Sequence, residues 1–338
     1  MKWYPWLRPP FEALLSSYHS GCGHHALLVQ ALPGMGDDVL IYAMCRFLMC
    51  HQLSLSDRKK SCGKCHSCQL MQAGSHPDYY FMQSENGKNI LGIDAVRAVM
   101  DKLYEYAKLG GEKVVWISDA AQLTAAAVDA LLNILEEPPK NTWFFLACQE
   151  PARLLVTLRS RCRLYRLVPP DEAYGLAWLK REVTASQEAA LTALRLAAGA
   201  PAAALAMLLQ IEQQSARQQL CKALDLALRS GDWLPLLPIF NHDSVATRLY
   251  WLLVLLLDAL KLQQGISLLT NVDALPLVRS LAQYLSSVTL QTIAADVVKC
   301  RVQMLSSIGC NRELTLCERL LRWEHWLQPG ASLPLLHL

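Results

Sequence analysis

A proline pair, Pro169-Pro170, divides the chain into halves with different hydrophobic spacing. Before it, short apolar runs at Ala26 to Ala31, Tyr79 to Met82, Val114 to Ile117, Trp143 to Ala147 and Leu164 to Val168 alternate with longer segments of helical spacing. Strand then helix, repeated, predicts a mostly parallel sheet with helices on its faces. After the prolines the strands stop. From Asp171 the sequence is rich in Leu and Ala at helical spacing, interrupted by Gly199, Pro201, Gly231, Pro235, Pro238, Gly265 and Pro276, which predicts an all-helical second half. A break near Ile211 to Gln214 divides that half again, giving three segments: 1–166, 167–211 and 212–338. The Ala-rich run 202–206 reads as closely packed helix, because alanine is the best helix former.

The 338 residues are 53% hydrophobic and only 18% charged, enough apolar surface to offset the ordering entropy of folding. Lys and Arg number 32 against 29 Asp and Glu, a formal charge of +3. That excludes a protein whose whole surface grips nucleic acid, so any DNA contact is local or shared with partners. The longest apolar stretch, Leu249 to Leu257, is about half of the ~20 residues a membrane span needs and reads as a core helix. The opening MKWYPWLRPPFE has no apolar signal region, and the expected location is the cytoplasm.

Twelve cysteines in a reducing compartment are not disulfides by default. Eight (Cys22, Cys45, Cys148, Cys162, Cys221, Cys300, Cys310 and Cys317) are scattered among apolar neighbours and read as small buried hydrophobes. The other four cluster: Cys62, Cys65 and Cys68 form CxxCxxC, with Cys50 upstream across a polar, basic segment containing Ser54, Asp57, Arg58, Lys59 and Lys60. Four thiolates suit one tetrahedral Zn²⁺, and an all-cysteine site has no open position for water, so it is structural. Rival readings are haem attachment at Cys62-Gly-Lys-Cys65-His66, a redox CxxC, and replacement of one cysteine ligand by His51 or His66. Haem attachment needs an export route and leaves Cys50 and Cys68 without a role. A redox pair needs only two cysteines. Zinc with four thiolates removes roughly two units from the formal charge, so the module is no basic clamp.

After the first strand comes Ala31-Leu32-Pro33-Gly34-Met35-Gly36-Asp37-Asp38, then a helical run from near Val39. The phosphate-loop pattern GxxxxGK[ST] asks for Gly, Gly, Lys and a hydroxyl residue. Only Gly36 fits: Ala31 stands at the first glycine, Asp37 at the lysine and Asp38 at the hydroxyl. A helix N-terminus attracts phosphate, but two carboxylates there repel it and themselves satisfy the helix end. The expected site holds no nucleotide. Read alone, PGMGDD is equally a turn and a helix cap.

The string continues with Lys113 to Asp119, Leu123-Thr124, Ala130-Leu-Leu-Asn-Ile-Leu-Glu-Glu-Pro-Pro139, Trp143 to Ala147 and Ser160-Arg161-Cys162. It closely resembles the clamp-loader branch of the AAA+ ATPases. The WYPWL opening and the CxxCxxC insertion narrow the likeness to one subunit type of that branch in bacterial DNA polymerase III. The resemblance implies an α/β AAA+-type parallel-sheet domain with an inserted zinc module at about 50–68, a small helical lid and an all-α collar domain that oligomerises. Implied partners are the ATP-binding gamma/tau subunits and a delta subunit and, through the complex, the sliding clamp and primed DNA.

Set against that family, three parts of an ATP machine are missing together. Besides the loop, Ser118 and Asp119 stand where ATPase members carry an Asp-Glu pair for Mg²⁺ and water. The family's Gly-Ser-x-Arg nucleotide sensor reads Gly199-Ala200-Pro201-Ala202, without the arginine. The resemblance therefore implies a chain that binds no ATP. Ser160-Arg161-Cys162 is similar to the family's SRC motif and implies that Arg161 is an arginine finger acting in trans on a neighbour's ATP. Arg159 and Arg163 read as solvated. The resemblance implies that polymerase activity belongs to the holoenzyme; no polymerase carboxylates are identifiable here. Two alternatives stand beside this reading: a working ATPase of the same fold with an unusual loop, and an autonomous zinc-containing DNA-binding protein.

Trp3, Tyr4, Trp6 and Phe11 are expected to fold onto their own domain rather than form an interface. Glu136-Glu137 before Pro138-Pro139 reads as the solvated end of a helix, and His24-His25 as residues without partners in sequence reach.

Overall fold

A computed structural model describes residues 2–52, 60–84, 90–306, 311–328 and 331–334. Ser54, Asp57, Arg58, Lys59 and Cys310 lie outside them. The chain divides into two compact units, Met1–Pro170 and Asp171–Leu338.

The first unit is built on five parallel strands: β1 (Ala26–Gln30), β2 (Tyr79–Met82), β3 (Lys113–Ile117), β4 (Thr142–Cys148) and β5 (Arg163–Arg166), in the order β2-β3-β4-β1-β5. β3 is buried at every residue and β4 at all but Trp143, the pattern of strands covered on both faces. Buried Lys113 is accommodated because its ammonium donates to the carbonyls of Leu103 and Glu105. α1 (Arg8–His19) precedes the sheet, and α2 (Asp37–Leu48), α3 (His66–Ala73), α4 (Ile93–Leu103), α5 (Ala125–Glu136) and α6 (Val156–Arg161) lie between its strands in the chain. Thr124 starts α5 by accepting the Ala127 amide, an N-cap of the expected kind. The five expected strands are present with shifted ends. Leu167 and Val168 lie beyond β5, although the Leu167 amide still donates to the Gln30 carbonyl of β1 at 2.8 Å.

The described part of the second unit is helical: α7 (Glu172–Glu182), α8 (Gln187–Leu196), α9 (Pro201–Leu209), α10 (Ile211–Ser230), α11 (Leu237–Phe240), α12 (Val245–Gln263), α13 (Leu275–Tyr284), α14 (Ser287–Ser306) and α15 (Arg312–Leu327). The apolar stretch Leu249 to Leu257 sits within α12, with Leu249, Leu252, Leu255 and Leu256 fully buried. Trp233 and Trp323 meet edge to face at 6.2 Å in the same core. Asp258 can be buried because its carboxylate accepts the amides of Thr270 and Asn271, the Asn271 side chain and the Lys261 ammonium. Gln210 separates α9 from α10, one residue ahead of the expected break near Ile211 to Gln214, and those four residues open α10. Helical propensity carries the chain through with a single extended residue, Gln210, between α9 and α10.

Of the scattered cysteines, Cys45, Cys148, Cys162 and Cys300 are buried and Cys221 and Cys317 partly so. Cys22 corrects the expectation: it is exposed, in the turn after α1.

Candidate functional site

β1 leads into the loop 31–36, and α2 starts at Asp37 rather than near Val39. The position before the helix is Gly36 in the left-handed region, φ +81°, so no side chain caps there. A Cβ on Gly36 would lie 2.6 Å from Cδ2 of Tyr4. Tyr4 stacks on Trp6 at 4.7 Å, and Trp6 Nε1 donates to the Met35 carbonyl at 2.9 Å. Met35 itself is fully buried. The N-terminal aromatics thus pack directly on the loop, with Trp6 and Phe11 buried and Trp3 edge-on to Phe11. Their fold-back is legible in the sequence; their seat on Met35 and Gly36 is not.

Asp37 opens α2 half-buried, and Asp38 is exposed. Burial holds the Asp37 carboxyl above the usual aspartate range, with Asp38 and Asp119 adding repulsion and the amides of Asp37 and Asp38 opposing it. Asp119 serves the backbone: it accepts the Ala121 amide at 3.0 Å and starts the short helix Ala120–Gln122. The Ser118 amide donates to Met82 across the strand ends. In the segment 198–201, Ala198 and Gly199 both have positive φ, and Pro201 begins α9.

Arg161 ends α6 with its side chain about one-third exposed. Its guanidinium donates from Nε to Glu136 Oε1 at 2.6 Å, with a second bond from Nη2, and from Nη1 to the Thr157 carbonyl at 3.1 Å. Glu136 ends α5 exposed, as its sequence context implies, and is also the partner of Arg161; the two lie 25 residues apart and no local pattern links them. Arg159 and Arg163 are exposed. His24 and His25 also have partners: their rings stack at 4.4 Å, and His25 Nε2 lies 2.9 Å from the Leu135 carbonyl.

The four clustered cysteines converge. The sulfurs of Cys50, Cys62, Cys65 and Cys68 all lie within 4.8 Å of one another. Cys50 to Cys65 is 3.9 Å and Cys62 to Cys68 is 3.8 Å. Neither His51 nor His66 belongs to the group, and no described cysteine is in a disulfide. Gly63, at φ +71°, makes the tight turn, and Cys65 starts α3 by accepting the Cys68 amide. The amides of Lys64 and Cys65 donate to the Cys62 sulfur and hold its thiol down to about 6. Such a group can hold a metal ion.

Three family models match in series: "DNA polymerase III, delta subunit" over residues 8–171, "DNA polymerase III subunit delta', AAA+ ATPase lid domain" over 170–210, and "DNA polymerase III, delta subunit, C terminal" over 212–325. DNA polymerase III subunit delta' of Escherichia coli (strain K12) is 59% identical over 338 residues, all of both chains. The chain belongs to the DNA polymerase III subunit delta' family. Its role is that of a clamp-loader subunit in DNA replication. The delta' subunit of Yersinia pestis is 50% identical over 337 residues, 98% of each chain. A solved DNA polymerase III gamma subunit-related protein from Thermotoga maritima covers 93% of this chain and 100% of its own at 15% identity, with a TM-score of 0.42. No described helix is long and apolar enough to cross a membrane.

Proposed function

We propose that this delta' family chain is the non-hydrolysing member of the clamp loader and acts on ATP bound by its neighbour. The observation that carries this reading is the filled loop. Where a phosphate loop needs open backbone amides, Tyr4 covers Gly36, Trp6 engages Met35, and Asp37 sets a carboxylate at the helix end. Burial raises the cost of that charge, and a triphosphate beside it would add repulsion on the order of a kcal/mol or more. A working ATPase with an unusual loop is disfavoured by the same contacts.

Arg161 is the group this chain supplies. A guanidinium reaching a gamma/tau subunit's γ-phosphate stabilises charge spread over its oxygens, and supplying it in trans makes hydrolysis depend on assembly. Its present partner, Glu136, keeps the side chain at the helix end with its charge matched. The delta subunit is the other neighbour in this reading, and the sliding clamp and primed DNA are reached through the complex. The organisation is an AAA+-like domain, a lid and a collar, the last two divided near Gln210.

The ion of the cysteine cluster is Zn²⁺ in this reading. Metal–sulfur bonds of about 2.3 Å in a tetrahedron place sulfurs roughly 3.8 Å apart, and two observed pairs stand at 3.8 and 3.9 Å. Cys50, Cys62, Cys65 and Cys68 would hold the ion, and its contribution is structural. An autonomous DNA-binding protein is disfavoured by the formal charge of +3.

Two measurements test the proposal. The isolated chain should give no saturable signal with a fluorescent ATP analogue, and micromolar affinity would sink it. In the reconstituted complex, Arg161→Ala should lower ATP turnover with assembly intact; unchanged turnover would refute the finger.

A further inference from the structure

The hydrogen bonds beneath the four-cysteine cluster form one directed chain. The Asp78 amide donates to His76 Nδ1 at 3.1 Å, which assigns the imidazole proton to Nε2. His76 Nε2 lies 2.9 Å from Ser67 Oγ. Ser67 Oγ also contacts the Met49 carbonyl, which can only accept, so the single hydroxyl hydrogen points there and His76 is the donor to Ser67. Both side chains are sealed from solvent, Ser67 at 0% and His76 at 5% exposure. A buried Ser-His pair resembles a nucleophile and its base, but here the hydroxyl proton is committed to a carbonyl and no substrate reaches it.

The position of this chain in the fold gives it a different use. Met49 immediately precedes Cys50, at the end of α2. Ser67 sits on α3 between Cys65 and Cys68. His76 lies in the segment from α3 to β2, and the Asp78 carboxylate there accepts the amides of Lys108 and Leu109 at 2.8 and 3.1 Å. The Asp78 carbonyl accepts the Val114 amide of β3 at 3.0 Å. One route therefore runs from the sheet through His76 and Ser67 to the backbone beside Cys50. It joins the early cysteine to the CxxCxxC group, which is distant from it along the chain.

We propose that Ser67 and His76 are positioning residues of the metal site. They hold Cys50 against Cys65 and Cys68 without touching the ion and set how long it is retained. The inference rests on the metal-site reading given above. Outer partners that orient ligands change metal affinity by about 10- to 100-fold when removed, although they contribute no ligand atom. Ser67→Ala breaks the route at its centre and leaves the Met49 carbonyl and His76 Nε2 buried without each other's bridge. His76→Leu keeps most of the volume and removes the donor. His76→Gln keeps an amide N–H near the place of Nε2.

The test uses the full purified chain, loaded with zinc, with elemental analysis for content and a chromophoric chelator to time release. Cobalt-loaded samples report the ligand set through thiolate-to-metal absorption. The wild type should carry one ion. Ser67→Ala and His76→Leu should load to the same content with the same cobalt spectrum, yet release the ion about ten-fold faster or more. His76→Gln should return release close to the wild-type rate. Wild-type release from both Ser67→Ala and His76→Leu would overturn the proposal. So would a His76→Gln chain that loads normally but releases as fast as His76→Leu, since packing alone would then explain the effect. A wild-type chain that takes up no metal under reducing conditions would instead remove the metal-site reading itself. Should Ser67→Ala and His76→Leu fail to fold, His76→Asn, whose shorter side chain withdraws the donor from Ser67, takes their place: it should release the ion about ten-fold faster, and wild-type release from it would overturn the proposal.

Discussion

The indole Nε1 of Trp6 donates to the main-chain carbonyl of Met35 at 2.9 Å, so a residue of the N-terminal segment is bonded into the turn between β1 and α2, the turn proposed above to stand in place of a phosphate loop. Two physical effects then act at one place. The aromatic rings take up space, and the carboxylates of Asp37 and Asp38 reverse the charge that a helix start offers to an anion. Because either effect alone opposes nucleotide, reversal of one should not reopen the site.

Asp37→Lys with Asp38→Thr restores the missing cation and hydroxyl in the loop pattern. We expect this double variant still to show no saturable binding of a fluorescent ATP analogue, because Tyr4 and Trp6 remain on Gly36 and Met35. Titration of the folded variant with analogue and Mg²⁺ checks this. Binding in the micromolar range would show that charge alone had emptied the site.

Gly36 is held to glycine twice over, by φ +81° and by the ring of Tyr4 2.6 Å from where a Cβ would stand. Gly36→Ala should destabilise the chain by about 1–3 kcal/mol, read from the denaturant midpoint. In a Tyr4→Ala background the severest clash disappears, leaving Leu7 Cδ1 at 3.3 Å and the backbone strain. The double-mutant cycle should therefore show a coupling of about 0.5 kcal/mol or more. Additive effects would mean that the ring and the loop do not press on each other.

What the sequence makes legible is whatever is local. The parallel-sheet unit, the helical second half and the grouping of the four cysteines all follow from periodicity or short spacing, and the structure places them accordingly. Relations across long separations are not legible. Glu136 reads as a solvated helix end because nothing within its own turn reveals Arg161, 25 residues on. Ser67 and His76 look like ordinary polar residues until the fold brings Met49 beneath them. The helix end at Gln210 carries no sharp mark in the sequence either: the composition changes gradually there, and a single extended residue suffices to divide two helices.

Asp37 also gives the stability of the chain a pH dependence of unusual sign. Burial, with Asp38 and Asp119 nearby, raises its folded-state pKa above the ordinary value near 3.8. The folded chain therefore holds this proton to higher pH than the unfolded chain does, and stability falls as pH rises from the ordinary aspartate range through the raised value. Above that window the charged carboxylate is a standing cost. Asp37→Asn should accordingly raise the thermal midpoint at neutral pH and give no advantage below the ordinary aspartate range. Thermal unfolding across that interval measures it, and a variant less stable than wild type at pH 7 would contradict the sign.

Arg161 and Glu136 allow function to be separated from folding. Their side chains are about 31% and 49% exposed, and pairs of that kind contribute about 0.2–1 kcal/mol. Arg161→Ala and Glu136→Gln should therefore shift the unfolding midpoint little. Arg161→Ala should nonetheless reduce ATP turnover in the reconstituted complex, because transition-state stabilisation by a finger is worth about 10³–10⁵ at the site it serves. The loss in total turnover is smaller where other sites continue to hydrolyse. Arg161→Lys keeps the charge but not the planar fork, so it should recover only part of the rate. Full recovery by lysine would indicate that a positive field at the interface is sufficient, and that the guanidinium geometry fixed by Thr157 and Glu136 plays no part in the neighbour's reaction.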